Sequence, residues 1–400
     1  MYTYNFHMLC VFFLLTLFSF STAEELEKLI NYALENSPRL KVYEHTKRAL
    51  KSKEEYSKSL PNPSLTFGLN NLPLNRPYPS KYEPMSSMSF GIGQMYVLPV
   101  KREREAKVVR SEISLLEAQE NQARKELIRD IKLAYIDWYY TMKSIELYAK
   151  AKEELLALEK LTEANYKLGR ANLSDLLSLK AELIRFDREI KDREAKVRLL
   201  KEELDYLVGD SFKLKGEEPK VEKIDIKALS EEAFPSLRVL EKEREKLKKE
   251  VERRQVEYLP DFELMAEYMI RPELDNMFSL RLSFGLPIRK SKREDLMVLE
   301  KLEEVKAKER EFENLRLLVR KEINSLRVEE ERLKTLKELT ERLIREKEAE
   351  LKALELAYRY TKADFRDLLR LYRELWELRT NLLELEGELK KVYIRAEVFL

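Results

Sequence analysis

Few side chains in this sequence could act as chemical groups, and they are scattered. The only cysteine, Cys10, and one of the two histidines, His7, lie within the first 23 residues; the other imidazole is His45. Two aspartates, Asp175 and Asp367, stand at matching places in the two halves, each followed by a Leu-Leu pair, and Arg370 lies three residues past Asp367. A lone aspartate just inside a helix usually satisfies the helix dipole. Six of the ten methionines (Met85, Met88, Met95, Met265, Met269, Met277) gather in two short stretches. Thioethers are soft ligands that suit Cu(I), and they are equally an adaptable apolar filler. These six do not share one strand face, which favours filler. The sequence has no phosphate-cradling glycine loop, no nucleophile–base pair and no carboxylate pair with a pocket pattern, so neither an enzyme nor a cofactor is expected.

Residues 9–20, LCVFFLLTLFSF, are apolar but too short to span a bilayer. They end in Ser21-Thr22-Ala23, and the chain then turns charged at Glu24-Glu25. This pattern predicts a cleaved secretory signal over 1–23, although that segment lacks any Lys or Arg. Cys10 and His7 would leave with it. The remaining chain could then build no disulfide, thiolate metal site or clustered-histidine site, and no metal site is expected. With 76 basic and 74 acidic residues, nucleic acid is not an evident partner. A charged fraction of 38% suits solvated helix faces and the ion-pair networks of heat-adapted proteins.

Helix breakers are unevenly placed. No Pro or Gly occurs from Val100 to Leu168 or from Ile288 to Glu386. An unbroken helix over the first of these spans would be about 100 Å long and would need a partner along its length. Leu127, Ile131, Ala134, Trp138, Met142, Ile145 and Ala149 form one helical stripe, and Leu315, Val319, Ile323, Leu326, Leu333 and Leu336 form another. Both read as helix-packing core. Landmarks also repeat: Pro38 with Pro235, Leu60-Pro61 with Leu259-Pro260, Pro99 with Pro287, Tyr166 with Tyr358. The chain is therefore expected to be two tandem repeats, 24–220 and 221–400. Repeat 1 would hold strands at about 63–71 and 86–98, a long helix at about 101–168 and a return helix at about 173–208. Repeat 2 would hold strands at about 261–270 and 277–286, a long helix at about 289–361 and a return helix at about 365–398.

In the strand segments the period changes to two. Leu65, Phe67 and Leu69 alternate with Ser64, Thr66, Gly68 and Asn70; Met88, Phe90 and Ile92 alternate with Ser87, Ser89, Gly91 and Gly93. Phe262, Leu264, Ala266, Tyr268 and Ile270, then Phe278, Leu280, Leu282, Phe284 and Leu286, do the same in the second half. An apolar face backed by Ser, Gly, Glu and Arg is the pattern of a barrel strand between lipid and a wet lumen. Two hairpins lying on a soluble helical body would show the same alternation. In lipid, four strands leave open edges that cannot persist, and a closed barrel needs about eight strands or more. Several copies must then contribute.

In its order of parts the chain resembles the TolC-like outer-membrane efflux family, including its heavy-metal branch, over residues 24–400. The resemblance implies a mainly α fold with a membrane β-barrel. It further implies a homotrimer whose twelve-stranded barrel sits in outer-membrane lipid and continues into a periplasmic α-helical tunnel. It implies an exit duct that passively conducts substrates exported by an inner-membrane pump of the RND type through a periplasmic adaptor (membrane fusion protein). Tyr166-Lys167-Leu168-Gly169-Arg170-Ala171 resembles the tip where adaptor hairpins dock, and Tyr358-Arg359-Tyr360-Thr361-Lys362-Ala363 is its second copy. Thr361 stands there in place of the glycine. Asp367 matches an acidic ring at the constricted end, where converging carboxylates would concentrate cations. Arg370 replaces a second acid found in some relatives, so Asp–Arg pairs are expected at the gate, with Asp175 as the first-repeat counterpart. The other reading of the residues is a soluble periplasmic coiled coil, structural or an adaptor.

Overall fold

The computed structural model describes residues 25–75, 77–360 and 362–400. The expected signal segment and Thr361 lie outside them. The helices are α1 (Glu25–Asn36), α2 (Pro38–Ser57), α3 (Pro99–Lys167), α4 (Leu173–Val208), α5 (Pro235–Gln255), α6 (Glu294–Arg359) and α7 (Phe365–Glu397). The strands are β1 (Ser64–Asn70), β2 (Ser87–Tyr96), β3 (Phe262–Ile270) and β4 (Met277–Phe284). The chain is thus mainly helical with one small sheet. Prolines open α2, α3 and α5, where the missing N–H has no helical partner to lose. Gly209, at φ +87°, closes α4 with its N–H on the Asp205 carbonyl at 2.9 Å.

The second long helix begins at Glu294, five residues beyond the expected 289. The basic residues that precede it are wound into a tight turn instead, with Lys292 N–H on the Arg289 carbonyl at 2.9 Å. That turn uses the backbone groups a helix would need.

Contacts divide the chain into two compact units. The first comprises the described residues up to Pro38, Arg124–Leu229 and Glu322–Leu400. Its core takes the expected stripe only in part. Leu127, Ile131, Ala134 and Trp138 are buried, Met142 and Ile145 half-buried, and Ala149 exposed. Burial passes to Tyr135, Ala151, Leu155 and Leu158. A strict four-three stripe drifts about 20° per heptad around a straight helix, so a long helix cannot keep one set of residues inward. The Glu25 carboxylate fastens α1: it accepts N–H bonds from Lys215 (2.5 Å), Gly216 (3.1 Å) and Glu217 (3.4 Å), and the Tyr135 hydroxyl donates at 2.6 Å. Burial and this carboxylate push the Tyr135 phenol up.

The second unit comprises Arg39–Ala123 and Ser230–Lys321 and contains the whole sheet. All neighbours are antiparallel in the order β1-β2-β3-β4, so pairing of β2 with β3 joins two sequence-distant hairpins. Among the described residues no helix is long and apolar enough to cross a membrane.

Candidate membrane face and helical tips

On β2 the usual burial of a sheet is reversed. Ser87, Ser89, Gly91 and Gly93 of β2 are buried, with Ser89 only 2% exposed. On the opposite face Leu65 is 85% exposed, and Phe67, Phe90, Ile92, Phe278, Leu280 and Leu282 are exposed with it. In a water-soluble sheet the hydrophobic effect would reverse this assignment. Side chains on the Ser/Gly face crowd one another across the strands, which is why glycines stand there. A Cβ on Gly68 would come within 2.9 Å of Ser89 Oγ, and one on Gly93 within 2.8 Å of Ser64 Oγ. Asn70 Nδ2 donates to Ser89 Oγ at 3.0 Å across the same surface.

Register lines up the outward side chains in rows. Phe67, Phe90, Tyr268 and Phe278 pair in succession across all four strands. Six residues away along β3, Tyr96, Phe262 and Phe284 make a second row, about 20 Å off at the usual strand rise. Leu65, Ile92, Ala266 and Leu280 lie between them. An apolar band bracketed by aromatic rows is the pattern that the lipid-facing side of membrane barrels carries. Among the described residues β1 pairs only with β2 and β4 only with β3, so both outer edges are open. Of the clustered methionines, Met95, Met265, Met269 and Met277 share the small-residue face by register, whereas Met88 is on the apolar one.

In the helical unit, one turn joins α3 to α4 and a second joins α6 to α7. The first is a Schellman turn: Gly169 sits at φ +72° with its N–H on the Tyr166 carbonyl (2.9 Å), and Arg170 N–H reaches the Asn165 carbonyl (2.8 Å). Leu168 and Arg170 are exposed and Ala171 is half-buried. At the second turn Lys362 N–H reaches the Ala357 carbonyl at 2.8 Å, the same six-residue closure as at Arg170. Tyr360 and Lys362 are exposed, and Ala363 packs against the adjoining core.

The two matched aspartates differ in surroundings. Asp175 is buried and accepts the Asn172 N–H at 3.1 Å, capping α4. In the second hairpin the cap is Asp364, which accepts from Arg366 N–H at 2.9 Å. Asp367 is thereby left exposed, and it pairs with Arg370 at 3.0 Å. Behind both turns lies one shared core of Leu155, Leu179, Leu183, Phe186, Phe365, Leu368, Tyr372 and Trp376. Phe186 meets Trp376 edge-on at 5.0 Å, and Trp376 Nε1 donates to Glu154 at 3.0 Å. Burial and the Glu355 carboxylate it bonds push the Tyr372 phenol up.

No family model matches the sequence, and no curated protein matches it. Solved structures do. The outer membrane protein VceC from Vibrio cholerae superposes with TM-score 0.75 at 17% identity, covering 94% of each chain. CusC, described with transmembrane channel formation, gives 0.77 at 13% identity over 94% of this chain and 91% of its own. The Campylobacter jejuni CmeC outer membrane channel gives 0.76 at 12% identity over 94% and 85%. The chain has the fold of these outer-membrane channels. The long helices and small antiparallel sheet are those the resemblance to the TolC-like family implies for one chain, and identities this low show the fold alone.

Within this fold the sequence reading missed the ion pair inside the tip core. Glu182 on α4 has a side chain only 3% exposed and faces Arg373 of α7 at 2.5 Å and Arg185 at 3.3 Å. A carboxylate set between Leu179, Leu183 and Phe186, on an otherwise apolar stripe, was the available sign of it.

Proposed function

We propose that this chain is the outer-membrane exit duct of a tripartite efflux system. In this reading three copies close a twelve-stranded barrel and continue it as a periplasmic helical tunnel. One observation carries it: the sheet exposes its apolar, aromatic-bordered face, buries the Ser/Gly face of its central strand β2, and leaves both edges open. Such a sheet is stable only in lipid and only when closed by further copies. Conduction is passive and involves no cofactor, with the driving energy supplied by an inner-membrane pump, of the RND type, through a periplasmic adaptor.

The exposed turns at Leu168–Ala171 and around Tyr360, Lys362 and Ala363, with Thr361 between, are the proposed adaptor-docking tips. Asp367 with Arg370 is the proposed aperture pair, held by its 3.0 Å contact. Asp175, buried and bonded as a cap, supports the first tip from beneath. The test is fractionation followed by mass measurement of the detergent-extracted oligomer. Three copies in the outer-membrane fraction are expected. A stable monomer, or protein recovered in the soluble periplasmic fraction, would favour the coiled-coil structural or adaptor reading instead.

A further inference from the structure

Arg289-Lys290-Ser291-Lys292-Arg293 places four cations in one exposed turn. Backbone bonds hold it, from Lys292 N–H to the Arg289 carbonyl at 2.9 Å and from Arg293 N–H to the Lys290 carbonyl at 3.3 Å. None of the four side chains is in an ion pair with a described residue. The Lys290 ammonium touches only a ring, 4.6 Å from the centroid of Tyr258.

The corresponding stretch of the first half is neutralised from within. Lys101 reaches Asp261 at 3.0 Å, Lys107 reaches Glu103 at 2.9 Å and Arg110 reaches Glu54 at 2.7 Å. Arg104 bonds Glu252, and Arg102 donates to the carbonyls of Val97 and Lys58. Four free cations beside five satisfied ones call for an anion from outside the chain.

Their position says which anion. β4 runs out through Phe284, Leu286 and Ile288, the last 84% exposed, directly into the turn. This is the end of the sheet opposite the connections 71–86 and 271–276. Apolar side chains followed at once by long cationic ones match the boundary between hydrocarbon and headgroups. Tyr96 and Tyr258 stand at the same end of the strands, as interfacial aromatics do. A pocket for a free anion would have donors converging on a cavity, whereas these cations share one exposed turn beside an apolar face.

We propose that Arg289, Lys290, Lys292 and Arg293 dock the phosphates of anionic phospholipids in the leaflet that faces the helices. The inference rests on the barrel reading above. Its test uses the full-length protein purified in detergent and titrated with phosphatidylglycerol, phosphatidylethanolamine or inorganic phosphate, with bound lipid counted by native mass spectrometry. Each Lys or Arg near an anionic surface contributes about fivefold to affinity. R289Q/K290Q/K292Q/R293Q should therefore lose at least tenfold in phosphatidylglycerol affinity. R289K/R293K and the control K160Q/K180Q/K321Q/K352Q should keep it.

Unchanged phosphatidylglycerol binding in the quadruple variant overturns the proposal. So does equal competition by inorganic phosphate, which marks a small-anion site. Loss of the oligomer with lipid binding intact also overturns it, since the cations would then face acids of a second copy. Failure of the barrel reading looks different: the wild-type protein itself would stay soluble without detergent and bind none of the lipids.

Discussion

Arg373→Ala should destabilise the tip core more than Glu182→Ala, although both remove the same ion pair. Without Arg373, the Glu182 carboxylate stays in a site where its side chain is 3% exposed, facing only Arg185 at 3.3 Å. Stranding one member of a buried pair costs about 3–5 kcal/mol, and the remaining arginine places this case near 3 kcal/mol. Without Glu182, the Arg373 side chain, 38% exposed, can turn to water. That change loses one ion pair of a partly exposed arginine, about 1 kcal/mol. At 1.4 kcal/mol per tenfold, amide exchange in Leu179–Phe186 and Leu369–Trp376 should quicken about a hundredfold for Arg373→Ala and about fivefold for Glu182→Ala. Exchange measured by mass spectrometry on the assembled protein reads both. Equal acceleration, or a larger effect from Glu182→Ala, would refute the claim that burial of the carboxylate sets the cost.

Gly169→Ala places a Cβ at φ +72° with nothing within 4 Å, so the cost is backbone strain alone, about 1 kcal/mol, visible as faster exchange confined to the first tip. Gly387→Ala brings a Cβ to 3.2 Å from the Tyr140 ring; overpacking of about 1–3 kcal/mol is expected, and Tyr140→Leu should relieve part of it in a thermal melt. On the sheet, Leu280→Arg should cost about 2–4 kcal/mol of membrane stability and lower the yield of assembled channel, whereas Ser279→Arg on the inner face should assemble. Burial alone would lower the Lys391 ammonium, but Asp137 at 2.5 Å and Glu388 at 2.8 Å outweigh it and hold it above its usual value. A raised lysine stabilises the fold fully below its unfolded value of about 10.4, and that contribution is lost as pH rises through the folded value. The urea midpoint should therefore fall above about pH 10.4, less steeply in Lys391→Met.

Much of the architecture is written in local pattern. Period-two alternation marks strands over 64–70 and 277–286, and long intervals without Pro or Gly mark the great helices, because both features act over a few residues. The alternation does not say which face is inside. Only the pairing of the strands, which closes Ser64 on Gly93 and Asn70 on Ser89, buries the small side chains of β2 and leaves the aromatic rows exposed. The joining of the two hairpins through β2 and β3 is likewise a long-range pairing that no local pattern encodes.

The same division holds at the tips. Sequence alone pairs Asp175 with Asp367 as equivalents. The tertiary structure separates them, because Asp364 takes over the cap in the second hairpin and leaves Asp367 free to meet Arg370. Gly169 declares its turn by residue type, since a left-handed position favours glycine. Glu182 declares nothing until α4 and α7 are packed together, because what isolates a carboxylate from water is the neighbouring helix and not its own.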